Sequence, residues 1–194
     1  MAESGQGLQV GMIAYRCAFL VPAALILALA GCGWFGGNKE KEASASAYCP
    51  TPLSVQDANR LTRFKAGAGR DPRDVAFEAA LVQTNAACSI NRRTLDVSVF
   101  MQIAVNAGPA VGPGVTHVPF FVRVMDASGT VVVGRDEIAD YKLSAASPRG
   151  MSREELAIRI PFNQISDLGA YKIAVGLKPT PDELEYNRRA TARP

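Results

Sequence analysis

The chain has 194 residues, of which 48% are hydrophobic, 20% charged and 7% aromatic, and its formal net charge at pH 7 is +3. This length suits one domain with a modest tail, and the composition excludes collagen-like, fully disordered and polytopic membrane proteins. The balance of 21 basic and 18 acidic residues gives no reason to propose a nucleic-acid partner. Hydrophobic residues make up 21 of the first 31 positions, so the start of the chain differs in character from the rest.

Residues 1–31 have the features of an export signal. An uncharged apolar run of 14 residues ends at Ala30 and follows Arg16, and a bilayer-spanning helix needs roughly 20 such residues. The run closes on four residues that resemble the lipobox of bacterial lipoproteins at every position, namely Leu29, Ala30, Gly31 and Cys32. The resemblance implies cleavage before Cys32 and lipid on its thiol and on its new amino group. An uncleaved signal anchor is the alternative.

The lipobox resemblance also implies a location. Several acyl chains hold a protein stably on a membrane, whereas one chain binds only marginally. Gly33 stands where many lipoproteins that stay in the inner membrane have Asp. We therefore expect a protein anchored to the outer membrane on its periplasmic face, with the inner membrane as the alternative. Residues 1–11 add nothing to such a signal, so Met12 is a candidate for the true start.

Residues 32–48 comprise the lipidated cysteine and a spacer rich in Gly, Ser, Ala and charge, which predicts a flexible coil reaching about 20 to 25 Å. Cys17 leaves with the signal and Cys32 carries lipid, so Cys49 and Cys88 remain. In an oxidising periplasm such a pair favours a disulfide over free thiols. With one His and no CxxC spacing, we expect no metal and no cofactor.

Residues 49–178 alternate apolar and polar side chains in several short segments. The strongest alternation runs from Leu95 to Asn106, and the other segments are Val75 to Val82, Val118 to Val124, Leu156 to Ile160 and Tyr171 to Leu177. Residues 126–129 separate Val124 from a run of three valines and predict a hairpin. Short strands without long helical periods predict an all-β protein, an antiparallel sandwich.

One stretch narrows this class. The spacing of Leu156 to Ile160 and of Asp167, Gly169 and Tyr171 resembles the corner between strands E and F of immunoglobulin-like and fibronectin type III domains. The resemblance implies that the Tyr171 ring packs in the core while its hydroxyl bonds to the chain upstream, with Asp167 and Gly169 shaping the turn. Ile173 stands where the second Cys of an immunoglobulin domain would be. We therefore expect an immunoglobulin-like antiparallel β-sandwich of variant type.

Residues 179–194 include a helix start. Thr180, Pro181 and Glu183 fit a capping box with Pro at the first helical position, which predicts a short helix from Pro181 to Arg189. Either this helix packs on the domain, or it projects with Leu184 and Tyr186 exposed to a partner.

Candidate functional residues are few. His117 is the only histidine, and the sequence contains no phosphate-loop, dinucleotide or zinc-protease motif, so we expect no catalytic residue and no enzymatic activity. The most uneven surface feature is a basic cluster in a predicted Gly-rich loop, consisting of Arg60, Arg63, Lys65, Arg70 and Arg73. Such a loop binds lipid phosphates or an acidic protein surface, or it is merely solvated. The loop from Ala107 to Gly114, with Val111 at its centre, is a second candidate contact.

The sequence therefore predicts a non-enzymatic interaction or assembly module of the cell envelope, attached to a membrane through lipid and bound to a protein partner. A carrier that holds a lipid or other apolar ligand between its sheets is the alternative. A carrier requires a continuous apolar cavity of more than about 300 Å³.

Overall fold

The computed structural model describes residues 45–67 and 69–191, so Cys32, the lipobox and most of the predicted spacer lie outside the described residues. Eight strands in this part of the chain form two four-stranded sheets. The strands are β1 (Pro52–Ser54), β2 (Arg60–Phe64), β3 (Val75–Asn91), β4 (Thr94–Ala107), β5 (Thr116–Met125), β6 (Val131–Tyr141), β7 (Arg149–Pro161) and β8 (Lys172–Leu177). One C-terminal helix, α1, spans Pro181–Thr191. The predicted all-β sandwich with a short C-terminal helix is confirmed.

The strand order is β1-β8-β5-β6 in the first sheet and β2-β3-β4-β7 in the second. Strands β4 and β7 are neighbours in one sheet and β5 and β8 in the other, as strands B and E and strands C and F are in immunoglobulin-like sandwiches. Every strand pair is antiparallel except β1 with β8, which is parallel. The N-terminal β1 is thus the edge strand beside β8, the last strand of the described residues.

The core lies between the two sheets and follows the alternation read from the sequence. On β4 every second side chain from Leu95 to Val105 is at most 2% exposed, and on β5 those from Val118 to Val124 are equally buried. Ile173, Val175 and Leu177 on β8 complete the facing rows. Burial at a period of two is what one apolar and one solvated sheet face require.

Strand β3 is longer than its alternation predicts. Its pairing with β4 shifts register between Leu81 and Gln83, which leaves Val82 as an extra residue with 57% of its surface exposed. Beyond such a bulge the inward positions change from odd to even numbers. Cys88 and Ile90 therefore pack against the core, and the strand continues to Asn91.

The sequence predicts one of the two hairpin turns and not the other. The predicted hairpin between β5 and β6 is present. In its turn the Asp126 carboxylate accepts hydrogen bonds from the backbone N–H groups of Ser128 and Thr130, and Gly129 has a positive φ. Between β3 and β4, only Arg92 and Arg93 make the connection, and Arg92 has φ +55°. Gly or Asn usually occupies a turn position with that conformation. Because both residues of this turn are arginines, the turn could not be predicted from the sequence.

The N-terminal part of the domain is fastened by the disulfide between Cys49 and Cys88, whose Cα atoms lie 5.5 Å apart. This bond confirms the predicted pairing. Ala45 is fully buried and Tyr48 packs against the core. The packed domain thus includes the last four residues of the predicted spacer.

The sandwich has two ends that carry different parts of the chain. The end that we call the disulfide end has the β3–β4 turn, the starts of β1 and β8, and Cys88 close by. The opposite end has residues 65–67 and 69–74, the β4–β5 loop and the start of α1. Val75, at the start of β3, is 13 residues from Cys88 on the same strand. About 40 Å of strand therefore separates the end that carries the start of β3 from the disulfide.

Candidate functional site

Helix α1 begins with the predicted capping box. The backbone N–H of Thr180 donates to Oε2 of Glu183 over 2.8 Å, and the N–H of Glu183 donates to the Thr180 hydroxyl over 3.4 Å. The two bonds satisfy donors that the first turn of a helix leaves free. The predicted helix is confirmed, and it continues two residues beyond Arg189.

The helix packs along β2 and does not project. The rings of Phe64 and Tyr186 meet edge to face with centroids 5.0 Å apart, and Tyr186 is half-buried. The Asn187 amide donates to the backbone oxygen of Arg60 over 3.0 Å, and the Thr62 hydroxyl donates to the same amide's oxygen. The Asn187 side chain thus satisfies a backbone acceptor on the free edge of β2. Covering an edge strand in this way is one means by which proteins protect sheet edges.

Much of the basic cluster is held by acidic groups of the same chain. Residues 60–64 form β2 instead of a loop, because Leu61 and Phe64 are buried there. Arg63 lies 2.8 Å from Glu183 and Arg70 lies 2.7 Å from Asp182, both acids of α1. The helix and the cluster thus form one intramolecular contact.

Arg73, Lys65 and Arg60 complete the cluster. Arg73 pairs with Asp71 over 3.0 Å, and this hydrogen bond holds the pKa of the Asp71 carboxyl below its usual value. Lys65 and Arg60 have exposed side chains, at the end of β2 and at its start. The five residues therefore do not converge on one anion-binding centre.

The side of the sandwich away from α1 is open. Strands β6 and β7 are the edge strands of the two sheets there, and they are 11 and 13 residues long. On the opposite side β1 has three residues and β2 is covered by α1. The two edges of the sandwich therefore differ strongly in how much unpaired backbone they present.

Two open grooves lie along β6 and β7. The larger has a volume of about 660 Å³, and its lining includes Cys88, Val97, Val133, Arg135, Ile158 and Arg159. The smaller, of about 310 Å³, is lined by Arg135, Glu137 and Glu154 together with Phe120 and Leu156. Both grooves combine apolar residues with charged ones.

Ion pairs on the outer face of the first sheet join β6 to its neighbours. Asp136 on β6 lies 2.6 Å from Arg123 on β5 and 2.9 Å from Lys178 just after β8. These two cations, Arg123 foremost, hold the pKa of the Asp136 carboxyl below its usual value. The Arg123 guanidinium also lies 5.2 Å from the centre of the Phe121 ring. The centre of β6 is thereby joined to its neighbours while its outer edge stays unpaired.

The hydroxyl groups of two tyrosines contact backbone oxygens. Only the contact of Tyr171 was predicted from the sequence. The Tyr171 hydroxyl lies 3.5 Å from the oxygen of Pro161, which is long for a hydrogen bond, and its ring is half-buried. In the turn before it, the Gln164 N–H donates to Asp167 over 3.0 Å, and Gly169 has open space around it.

Tyr141, at the end of β6, is the more deeply placed tyrosine. Its hydroxyl donates to the oxygen of Ile103 on the other sheet over 3.1 Å and also contacts the Ser152 hydroxyl. Burial raises the pKa of this phenol. Its ring lies against Gly150, where a Cβ atom would come within 2.8 Å. No alternation signal marks Tyr141, because it ends a largely exposed strand.

The β4–β5 loop folds down onto β3, and Val111 is not an exposed contact. The N–H groups of Gly108 and Ala110 donate to the oxygens of Ala76 and Val75, and Val111 packs against the core. A Cβ atom at residue 108 would lie 2.1 Å from the Val75 oxygen, so only glycine fits. The apolar character of this loop reflects packing.

His117 pairs with a single acid. Its Nδ1 lies 2.6 Å from Oδ1 of Asp140 on the neighbouring strand, and both side chains are mostly exposed. Within residues 45–67 and 69–191 no three His, Cys, Asp or Glu side chains are grouped to hold a metal ion. In the same residues, no helix is long and apolar enough to cross a membrane.

No family model matches this chain, and no curated protein or solved structure shows significant similarity to it. Its function is therefore inferred from its own residues and fold.

Proposed function

We propose that this chain is a non-enzymatic lipoprotein of the bacterial cell envelope and that its sandwich binds a protein partner. The lipobox resemblance at Leu29 to Cys32 supports the anchor. The disulfide between Cys49 and Cys88 suits an oxidising compartment such as the periplasm. We place the protein on the periplasmic face of the outer membrane, with the inner membrane as the alternative.

The open side of the sandwich is the observation that carries this proposal. A long unpaired edge strand is a template to which a partner can add a strand through main-chain hydrogen bonds. Strand β6 offers such an edge over 11 residues, and its Ile138 side chain is 61% exposed. Arg135, Asp136 and Glu137 at the centre of β6 restrict pairing to strands with complementary charges.

The proposal predicts a position-dependent contact in the envelope. A photoreactive amino acid replaces Ile138 on β6 in the full chain, and the cross-linked products are compared with those from Leu53 on β1. The two residues are matched, because their surfaces are 61% and 60% exposed and both belong to edge strands of the first sheet. We expect one discrete protein adduct from residue 138 and none from residue 53. Equal adducts from both positions, or none from either, would contradict the proposal.

The groove of about 660 Å³ favours a second candidate function, the binding of an amphiphile. Its accessible apolar residues Val133 and Ala157 would contact the acyl part, and Arg135 or Arg159 the head group. Against a carrier that encloses its ligand, the rows between the sheets are closely packed, with Val97 2% and Ile158 4% exposed. Mass spectrometry of organic extracts from the protein purified out of its native envelope tests this candidate. A stoichiometric lipid would support it, and its loss in an Ala157→Trp variant would locate it at the groove.

A further inference from the structure

We propose that the disulfide end carries a second binding surface, at which Arg92 and Arg93 bind the phosphates of anionic lipids in the membrane that holds the anchor. The proposal rests on the lipid anchor of the proposed function. It assigns membrane contact to the β3–β4 turn instead of the basic cluster.

The first described residues lie at the end of the domain that carries this turn. Twelve residues separate Cys32 from Ala45 in the sequence. The disulfide then holds Cys49 at Cys88, which is four residues and about 13 Å of strand from Arg92. Because β1 runs parallel to β8 and both begin at the disulfide end, the chain enters the domain from that end.

The residues of the turn are unusual for their position. Arg92 has φ +55°, a conformation that costs free energy for any residue with a Cβ atom. Gly or Asn is the usual choice in so short a hairpin turn. Both arginine side chains are exposed, and among the described residues neither guanidinium has an ion-pair partner. The conformational cost at Arg92, together with the unpaired charges of both arginines, indicates a role outside the domain.

The surroundings of the turn suit a lipid surface. At the same end Lys172 is exposed, and so are three large apolar side chains, namely Val131, Val132 and Ile165, with 50%, 47% and 42% of their surfaces exposed. Cations together with scattered apolar groups are typical of proteins that lie against the headgroup region.

The acidic groups of this end are engaged locally. Asp126 accepts hydrogen bonds within its own turn, and Asp167 accepts one from the Gln164 backbone. Asp96 pairs with Arg159 over 3.1 Å. None of these three acids pairs with Arg92 or Arg93 in the described residues. The basic cluster lies about 40 Å of strand away and is largely ion-paired within the chain.

The test uses the mature lipidated chain, with its lipid mass established first, in vesicles of phosphatidylcholine alone or mixed with phosphatidylglycerol. A fluorescent amino acid at Asn163, on the disulfide end, reports energy transfer to a headgroup dye. The variant Arg92→Gly/Arg93→Asn removes both charges and supplies residues that the turn prefers, so folding is preserved. Lys65→Gln/Lys142→Gln removes the same charge from the opposite end and is the control.

We expect phosphatidylglycerol to draw the disulfide end of the wild-type protein to the surface and added salt to release it. The variant at residues 92 and 93 should lower the ratio of docked to undocked domain about 25-fold, since each arginine contributes roughly a factor of five. The Lys65 and Lys142 control should dock normally. Docking that is the same in the wild type and the arginine variant, or that ignores phosphatidylglycerol, overturns this inference and leaves the anchor standing. A mature chain without lipid overturns both.

Discussion

Arg63 on β2 and Glu183 on α1 form the ion pair that joins the C-terminal helix to the edge of the second sheet, with 2.8 Å between Nε and Oε1. The Glu183 side chain is only 4% exposed, whereas that of Arg63 retains 34%. The other oxygen of the same carboxylate accepts the Thr180 N–H that begins the helix. One buried carboxylate thus both starts the helix and holds it on β2.

The first prediction concerns this carboxylate. Glu183→Gln should lower the free energy of unfolding by about 1 to 3 kcal/mol, because a buried charge pair is replaced by a neutral contact while Arg63 still reaches water. Glu185→Gln is the matched control, since Glu185 is exposed and lies 3.7 Å from Arg189, and it should cost less than about 0.5 kcal/mol. Urea unfolding measures both. Equal effects of the two substitutions would show that the ion pair does not hold the helix.

The second prediction compares the two tyrosines. Tyr141→Phe removes a hydroxyl that bonds to Ile103 on the other sheet and should destabilise the fold by about 1 to 2 kcal/mol. Tyr171→Phe removes a 3.5 Å contact and should cost less than about 0.5 kcal/mol. Thermal unfolding of the two variants side by side gives the order. A larger loss from Tyr171→Phe would instead identify Tyr171 as the principal corner residue.

The third prediction concerns pH. Arg123 and Lys178 lower the pKa of Asp136 in the folded state below its unfolded value, which is near 4. The carboxylate therefore stabilises the fold fully above that unfolded value, and this stabilisation disappears as the pH falls through the lower folded value. Asp136→Asn should destabilise the protein at pH 7, and its effect should become smaller as the pH falls toward 2. Urea midpoints measured from pH 7 to pH 2 test this, and a constant difference between the two proteins would be inconsistent with it.

The fourth prediction concerns the disulfide. The bond joins residues 39 apart in sequence, so Cys49→Ser/Cys88→Ser should lower the free energy of unfolding by about 4 kcal/mol in the chain-entropy model. The unfolded chain should also expose more surface, which raises the slope of the urea transition. If midpoint and slope both stay unchanged, the disulfide does not constrain the unfolded chain.

The local features of the fold could be predicted from the sequence. Strand β4 alternates without interruption because one face packs in the core and the other is partly solvated. The capping box at Thr180 and Glu183 depends only on residues three apart. The disulfide followed from counting cysteines after the two N-terminal ones had been assigned.

The features that were missed depend on distant pairing. Strand β1 has three residues and is a strand only because β8 lies beside it. Strand β2 carries Arg60 and Arg63, whose charges predicted a loop. The partner of Arg63 is Glu183 of α1, which lies 120 residues further along the sequence and could not be assigned from local patterns. The bulge at Val82 is hidden because an apolar residue occupies the extra position. Nothing local distinguishes these residues from loop residues.

The location in the envelope and the membrane contact at Arg92 and Arg93 both require that the mature chain starts at Cys32 and carries lipid. The most direct test of this account is the mass of the N-terminal peptide from the protein purified out of bacterial membranes. We expect a peptide that begins at Cys32 and carries lipid on both its sulfur and its amino group, and we expect Cys32→Ser to abolish processing. A mature chain that keeps residues 12–31, or that has a free thiol at Cys32, would contradict it.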